Sequence, residues 1–257
     1  MFEGFSQRIK SRSAALLLTL DNRLDRILQG WLLVAGLLAA ARIAFTPISA
    51  PVASFSTFSS YMLLVVAPFA STLLALHWFR DGHLQPQPST RLAVFGRWSK
   101  LTRAEAERHH LYGSSGIMVS LLVGMMLNVP VRAAEYLAAM PPVGAAAPAW
   151  LQALHFAMTF DAVLFGSLYM IAFVAALRHV PLFPRLLVAI WIADLAMQLF
   201  TASLVANSGG VPPAVASALH SLLEGNVKKV LISAALWLPY LLLSTRVNVT
   251  FRHRIPA

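Results

Sequence analysis

The chain has no cysteine and very little charge: 12% of its 257 residues are Asp, Glu, Lys or Arg, where a soluble domain carries about a quarter. Without cysteine there is no disulfide, thiolate metal site, iron–sulfur cluster or cysteine nucleophile. Any redox role would have to run through haem, flavin or quinone. Acidic residues are the scarcer sign, ten against twenty Lys and Arg, for a net charge of +10. Also missing are the glycine-rich loops that cradle phosphates and the His-Glu-x-x-His pair of metalloproteases. What the chain has instead is apolar surface: 58% hydrophobic residues and a mean hydropathy of +0.69. A single water-soluble core could not absorb that much, so the bilayer is the solvent, and in lipid only helices or a closed barrel satisfy the backbone. The apolar runs are long and unbroken where barrel strands would alternate over about ten residues, which decides for helices.

A span needs roughly twenty apolar residues. Six fit, at about 27–45, 60–79, 115–131, 151–177, 184–205 and 227–245, with a segment 1–26 before them, a basic loop 80–114 and a tail 246–257. The first apolar run, Ala14 to Leu20, is too short for a cleavable signal peptide and meets Asp21, Arg23, Asp25 and Arg26 at once. Leu16, Leu20, Leu24, Ile27 and Leu28 recur at helical spacing. They describe an amphipathic helix on the membrane surface, or equally a continuation of the first span. Pro130 ends or kinks the third span. Gly225 and Asn226 read as punctuation, making 213–225 a separate outer helix.

A basic balance invites nucleic acid as a partner, but these charges lie between the spans, as orientation signals do. Sixteen Lys and Arg fall on one side and four (Arg42, Arg132, Lys228 and Lys229) on the other. The positive-inside rule then gives an all-α, polytopic bundle of six spans with both termini inside, bound to membrane lipid and not to nucleic acid. In the basic loop, Thr102-Arg103-Ala104-Glu105 is a capping box that starts a short helix running to about Leu111. Phe95 and Trp98 stand among Arg91, Arg97, Lys100 and Arg103, a set suited to anionic headgroups or to a protein partner.

Polar stripes in the outer half of the bundle form the candidate site. Asn128, Arg132 and Glu135 share one face of the third span, Asp194, Gln198 and Thr201 one face of the fifth, and His220, Glu224 and Lys228 the start of the sixth. Arg42, His155 and Asp161 lie at neighbouring depths on the first and fourth spans. Charge at membrane depth costs at least about 2.5 kcal/mol, so these residues should face protein or a water cavity. Two nearby carboxylates, Asp161 and Asp194, would share a proton or need a cation; equally, Arg42 and Arg132 could pair with them and merely lock the bundle.

Gly113-Ser114-Ser115-Gly116 matches the Gly-x-Ser-Gly of rhomboid proteases. Ser114 would then stand roughly the 30 Å hydrocarbon core away from His220, too far for a nucleophile and its base. His155 and Asp161 have five residues between them where the His-x4-Asp box of membrane acyltransferases has four. No metal motif emerges and the cofactor stays unknown, with haem the one group that paired histidines such as His155 and His220 could ligate.

Around the last span, Trp237, Pro239, Tyr240, Ser244, Arg246, Val247, Thr250 and Phe251 form a string that resembles a family of uncharacterised bacterial inner-membrane proteins, as does Gln29-Gly30-Trp31-Leu32 at the first span. The resemblance implies a bacterial inner membrane and assigns no site residue. The leading expectation is a non-enzymatic accessory, assembly or scaffold subunit beside another membrane protein. The alternatives are a small proton-linked carrier and a haem- or quinone-binding electron-transfer subunit.

Overall fold

The computed structural model describes residues 2–45, 55–90, 92, 95–144 and 146–257, without the side chains of 2–12, 14, 21 and 55–57. Arg91 lies outside the described residues. The helices are α1 (Phe2–Phe45), α2 (Phe55–Trp78), α3 (Arg103–Arg108), α4 (Met118–Ala139), α5 (Ala149–Leu177), α6 (Phe183–Asn207), α7 (Pro213–Leu243) and α8 (Thr245–Arg252). Six of them, all but α3 and α8, are long and apolar enough to cross a membrane. The protein is therefore a multi-pass, all-α membrane protein.

One alternative left open by the sequence is decided, and two boundaries differ from the sequence reading. Helix α1 runs unbroken through the amphipathic segment into the first span, and the buried face of Leu20, Leu24 and Leu28 continues at Ala35 and Ala39. Helix α4 does not end at Pro130 but continues to Ala139. The proline removes one intrahelical hydrogen bond, and the helix around it persists, placing Arg132 and Glu135 on the same rod as Asn128. Helix α7 likewise passes through Gly225 and Asn226 as one 31-residue helix, so 213–225 is not separate. An interior glycine costs about 1 kcal/mol relative to alanine, too little to break a long apolar helix.

Helix α5 is the centre of the bundle. It packs against α2, α4 and α6, with α1 completing the α2–α4 side and α7 lying on α6. Phe165 and Phe173 of α5, Leu122 of α4 and Leu187 of α6 are fully buried there. At Gly166 an added Cβ would come within 3.3 Å of Pro68 on α2, so the missing side chain is what lets those two helices approach.

The tail 246–257 is folded, not loose. Val247, Val249 and Phe251 of α8 are completely buried, and β2 (Arg254–Pro256) pairs antiparallel with β1 (Trp98–Lys100) from the basic loop. Asn248 fastens this cap. Its amide donates to the carbonyls of Leu242 (3.0 Å) and Ser244 (2.9 Å), satisfying groups that the end of α7 would leave open. Its carbonyl oxygen accepts from Arg252 and Arg254 at 3.3 and 2.7 Å. The capping box at Thr102 and Glu105 forms, although α3 stops at Arg108, short of Leu111.

Candidate functional site

The third, fourth and fifth spans each bring one charged residue to one point. Asp161 lies about 18 Å along α5 and Asp194 about 17 Å along α6 at 1.5 Å per residue, each near the middle of its helix. Between them, Arg132 of α4 donates from Nη1 to Asp161 Oδ2 (2.5 Å) and from Nη2 to Asp194 Oδ2 (2.7 Å). Gln198, one turn beyond Asp194, donates from Nε2 toward Oδ1 of both carboxylates at 3.3 and 3.2 Å. Tyr169 adds its hydroxyl to Asp194 at 3.4 Å, and the guanidinium of Arg132 stacks 4.9 Å from the Phe165 ring centre. Asp194 is wholly buried and Asp161 is 7% exposed.

Charge counting decides what this cluster is. Two carboxylates face one guanidinium, so with both acids ionised it is one positive charge short, in surroundings where bare charge is costly. A proton shared between the acids, or a bound monovalent cation, would close the deficit. A simple structural lock needs one acid for one arginine; the second carboxylate is the part that a lock leaves unexplained.

The cluster is not sealed. A small cavity of about 60 Å³ opens between α4 and α7, bordered by Asn128, Arg132, Tyr169 and Asn226, with Glu135 and Lys229 at its exposed outer end. It is large enough to admit water, as a proton path requires. Asn128 Oδ1 is buried at this cavity without a hydrogen-bond partner, a place for such a water. Glu135 and Lys229 form an ion pair across the mouth. Inside it, Asn226 donates to Gln198 at 3.4 Å, joining α7 to the acid cluster.

Of the residues singled out by sequence, the structure gathers Arg132, Asp161, Asp194 and Gln198, with Asn128 and Glu135 along the approach. Arg42 stands apart and reaches the carbonyl of Met140 at the end of α4, at 3.4 Å. His155 Nε2 lies 3.2 Å from the hydroxyl of Tyr136, which also meets Thr159, and borders a groove between α2 and α5. His220 and Glu224 are exposed on α7, the latter in a surface ion pair with Lys228. Ser114 is buried and donates to the carbonyl of Ala176, while Ser115 accepts from Arg246, so the Gly-x-Ser-Gly stretch ties a loop to the bundle. Trp98 and Lys100 lie in β1 beside exposed Arg97, and Arg103 donates to the carbonyl of Leu84.

Sequence reasoning missed Phe165, Tyr169, Asn226 and Lys229. Phe165 and Tyr169 follow Asp161 at four-residue steps, so one face of α5 carried the signal. Asn226 reads in the sequence as a helix break, which hides its place in the site.

Fold and site together define a six-span helical membrane protein that encloses an acid–base cluster midway along α5 and α6. Comparison with protein-family models, with curated proteins and with solved structures finds no match to this chain.

Proposed function

We propose that this is a non-enzymatic, proton-linked membrane carrier of a bacterial inner membrane, with the Asp161–Arg132–Asp194 cluster as its proton-binding centre. The surplus carboxylate beside a water-sized polar cavity carries the reading. Protonation would remove the unbalanced charge and weaken the hold of Arg132 on one acid. Helices α5 and α6 would then be free to shift against α4. The Glu135–Lys229 pair guards the outer approach to the cavity.

Infrared titration of the protein in lipid tests this directly. A carboxylic-acid band that changes with pH in the native protein and disappears in Asp194→Asn supports it. No titrating acid band attributable to Asp161 or Asp194 would defeat it.

A second reading, an accessory subunit of a larger membrane assembly, is favoured by one observation. Only 17% of the membrane-crossing windows of α1 and of α7 is buried within the chain. Mild-detergent purification at native abundance followed by native mass spectrometry decides it: a stoichiometric protein partner supports the subunit, and a lone protein tells against it.

A further inference from the structure

The inner end of the molecule holds a second cluster of opposite character. A cleft of about 660 Å³ lies between the basic loop and the folded tail, bordered by Trp98, Lys100, Arg185, Arg252, His253 and Arg254. Its wall draws on three separate stretches of chain: the loop, the first turn of α6 and the end of α8 with β2. No Asp or Glu is among the described residues that border it.

The cations are held in place, which distinguishes the cleft from a loose charged surface. Arg185 Nε donates to the carbonyl of Thr90 at 2.6 Å. Arg254 donates to Asn248 at 2.7 Å and stacks its guanidinium 5.0 Å from the Trp98 ring centre. Arg252 is anchored through Nη1 on Asn248, while its Nε and Nη2 are buried with no hydrogen-bond partner. Burial and the neighbouring Arg254 and Arg185 bring its guanidinium down to about 10, still charged at neutral pH. A partly buried guanidinium with two unpaired nitrogens and cationic neighbours lacks an anion.

We propose that this cleft is a binding site for a phosphate group, held by Arg252, Arg185, Arg254 and Lys100. Phosphate supplies several strong acceptors and negative charge to a fixed guanidinium fork, the match that favours arginine at such sites. The volume lies within the range of small-ligand pockets, about 300–1,000 Å³. Its place at the inner end, where the spans meet water, suits either an anionic lipid headgroup or a free phosphorylated compound. Both bring the same chemistry.

The test uses the full chain in nanodiscs of phosphatidylcholine, with inorganic phosphate as one probe and added phosphatidylglycerol as the other. Binding is read by thermal shift and by native mass spectrometry. Expected is saturable binding that weakens about tenfold in Arg252→Gln, as for the loss of a charge-assisted hydrogen bond. Lys100→Gln, whose side chain is exposed and can be removed without disturbing the cap, should weaken it several-fold. Arg80→Gln, an exposed charge that does not border the cleft, should leave binding within twofold. A response to inorganic phosphate in phosphatidylcholine alone identifies a soluble phosphate as a sufficient ligand. Retention of one phosphatidylglycerol without such a response identifies a lipid headgroup. Binding of neither probe, or equal weakening by Arg80→Gln and Lys100→Gln, overturns the proposal.

Discussion

Arginine is used in two contrary ways at the two levels of this molecule. Midway along α5 and α6, one guanidinium is surrounded by two carboxylates and a glutamine, and the local shortage is of positive charge. At the inner cap, Arg185, Arg252 and Arg254 converge with Lys100 on a cleft that no acid among the described residues borders, and the shortage is of negative charge. The comparison teaches that an arginine's role here is set by its local balance and not by its burial. Each imbalance points to something absent from the chain itself: a proton at the centre, an anion at the cap.

Removing the shared cation should have the largest effect. Arg132→Ala leaves two buried carboxylates with only the neutral donors Gln198 and Tyr169, and breaking a buried pair from one side costs about 3–5 kcal/mol. Thermal unfolding in detergent should show a large loss of stability, one that a second change, Asp161→Asn, partly restores. If Arg132→Ala alone is neutral, the cluster carries no net electrostatic strain and the contrast between the two levels collapses.

The cap should answer to acid next, through His179 in the turn between α5 and α6, whose ring meets Phe251 of α8 edge to face. Burial, with His83 and Arg178 nearby, holds His179 down at about 4, against about 6.5 in an unfolded chain. Between those values the unfolded state binds the proton and the folded state does not, so stability falls as pH drops from about 6.5 toward 4. The loss approaches about 3 kcal/mol at the acid end, less whatever solvent access to the half-buried ring recovers. His179→Gln should flatten this slope in a melting series.

Asn248→Ala removes the amide that closes the end of α7 and the oxygen that holds Arg252 and Arg254. A cost of about 1–3 kcal/mol is expected, with faster proteolysis of the tail than of any transmembrane segment. The smallest effect belongs to the surface pair on α7: Glu224→Ala should leave the melting temperature essentially unchanged. A larger change there would mean that α7 presents Glu224 to a partner.

The spans and the central acids were legible because their signals are local. Apolar runs near twenty residues mark helices, and Asp161, Asp194 and Arg132 stand out as charges inside them. Spacing placed Gln198 beside Asp194 and Asn128 beside Arg132, one turn apart. Which arginine met the acids was not legible: Arg42 and Arg132 were equal candidates until packing put Arg42 at Met140. Gly225-Asn226 misled because a turn signal is only a weak propensity, which a continuous apolar helix overrides. The cap was invisible for another reason. Strands of three residues carry almost no periodicity, and Trp98 meets Pro256 across more than half of the chain.

The most direct measurement is a paired assay of Asp194→Asn, with thermal stability and infrared titration on the same lipid-reconstituted sample. Neutralising the surplus charge leaves Arg132 matched to Asp161 alone. The account predicts a melting temperature that is unchanged or higher, together with loss of the pH-dependent carboxylic-acid band. A clear fall in melting temperature, with an infrared titration like that of the native protein, would contradict it and make the cluster a structural lock.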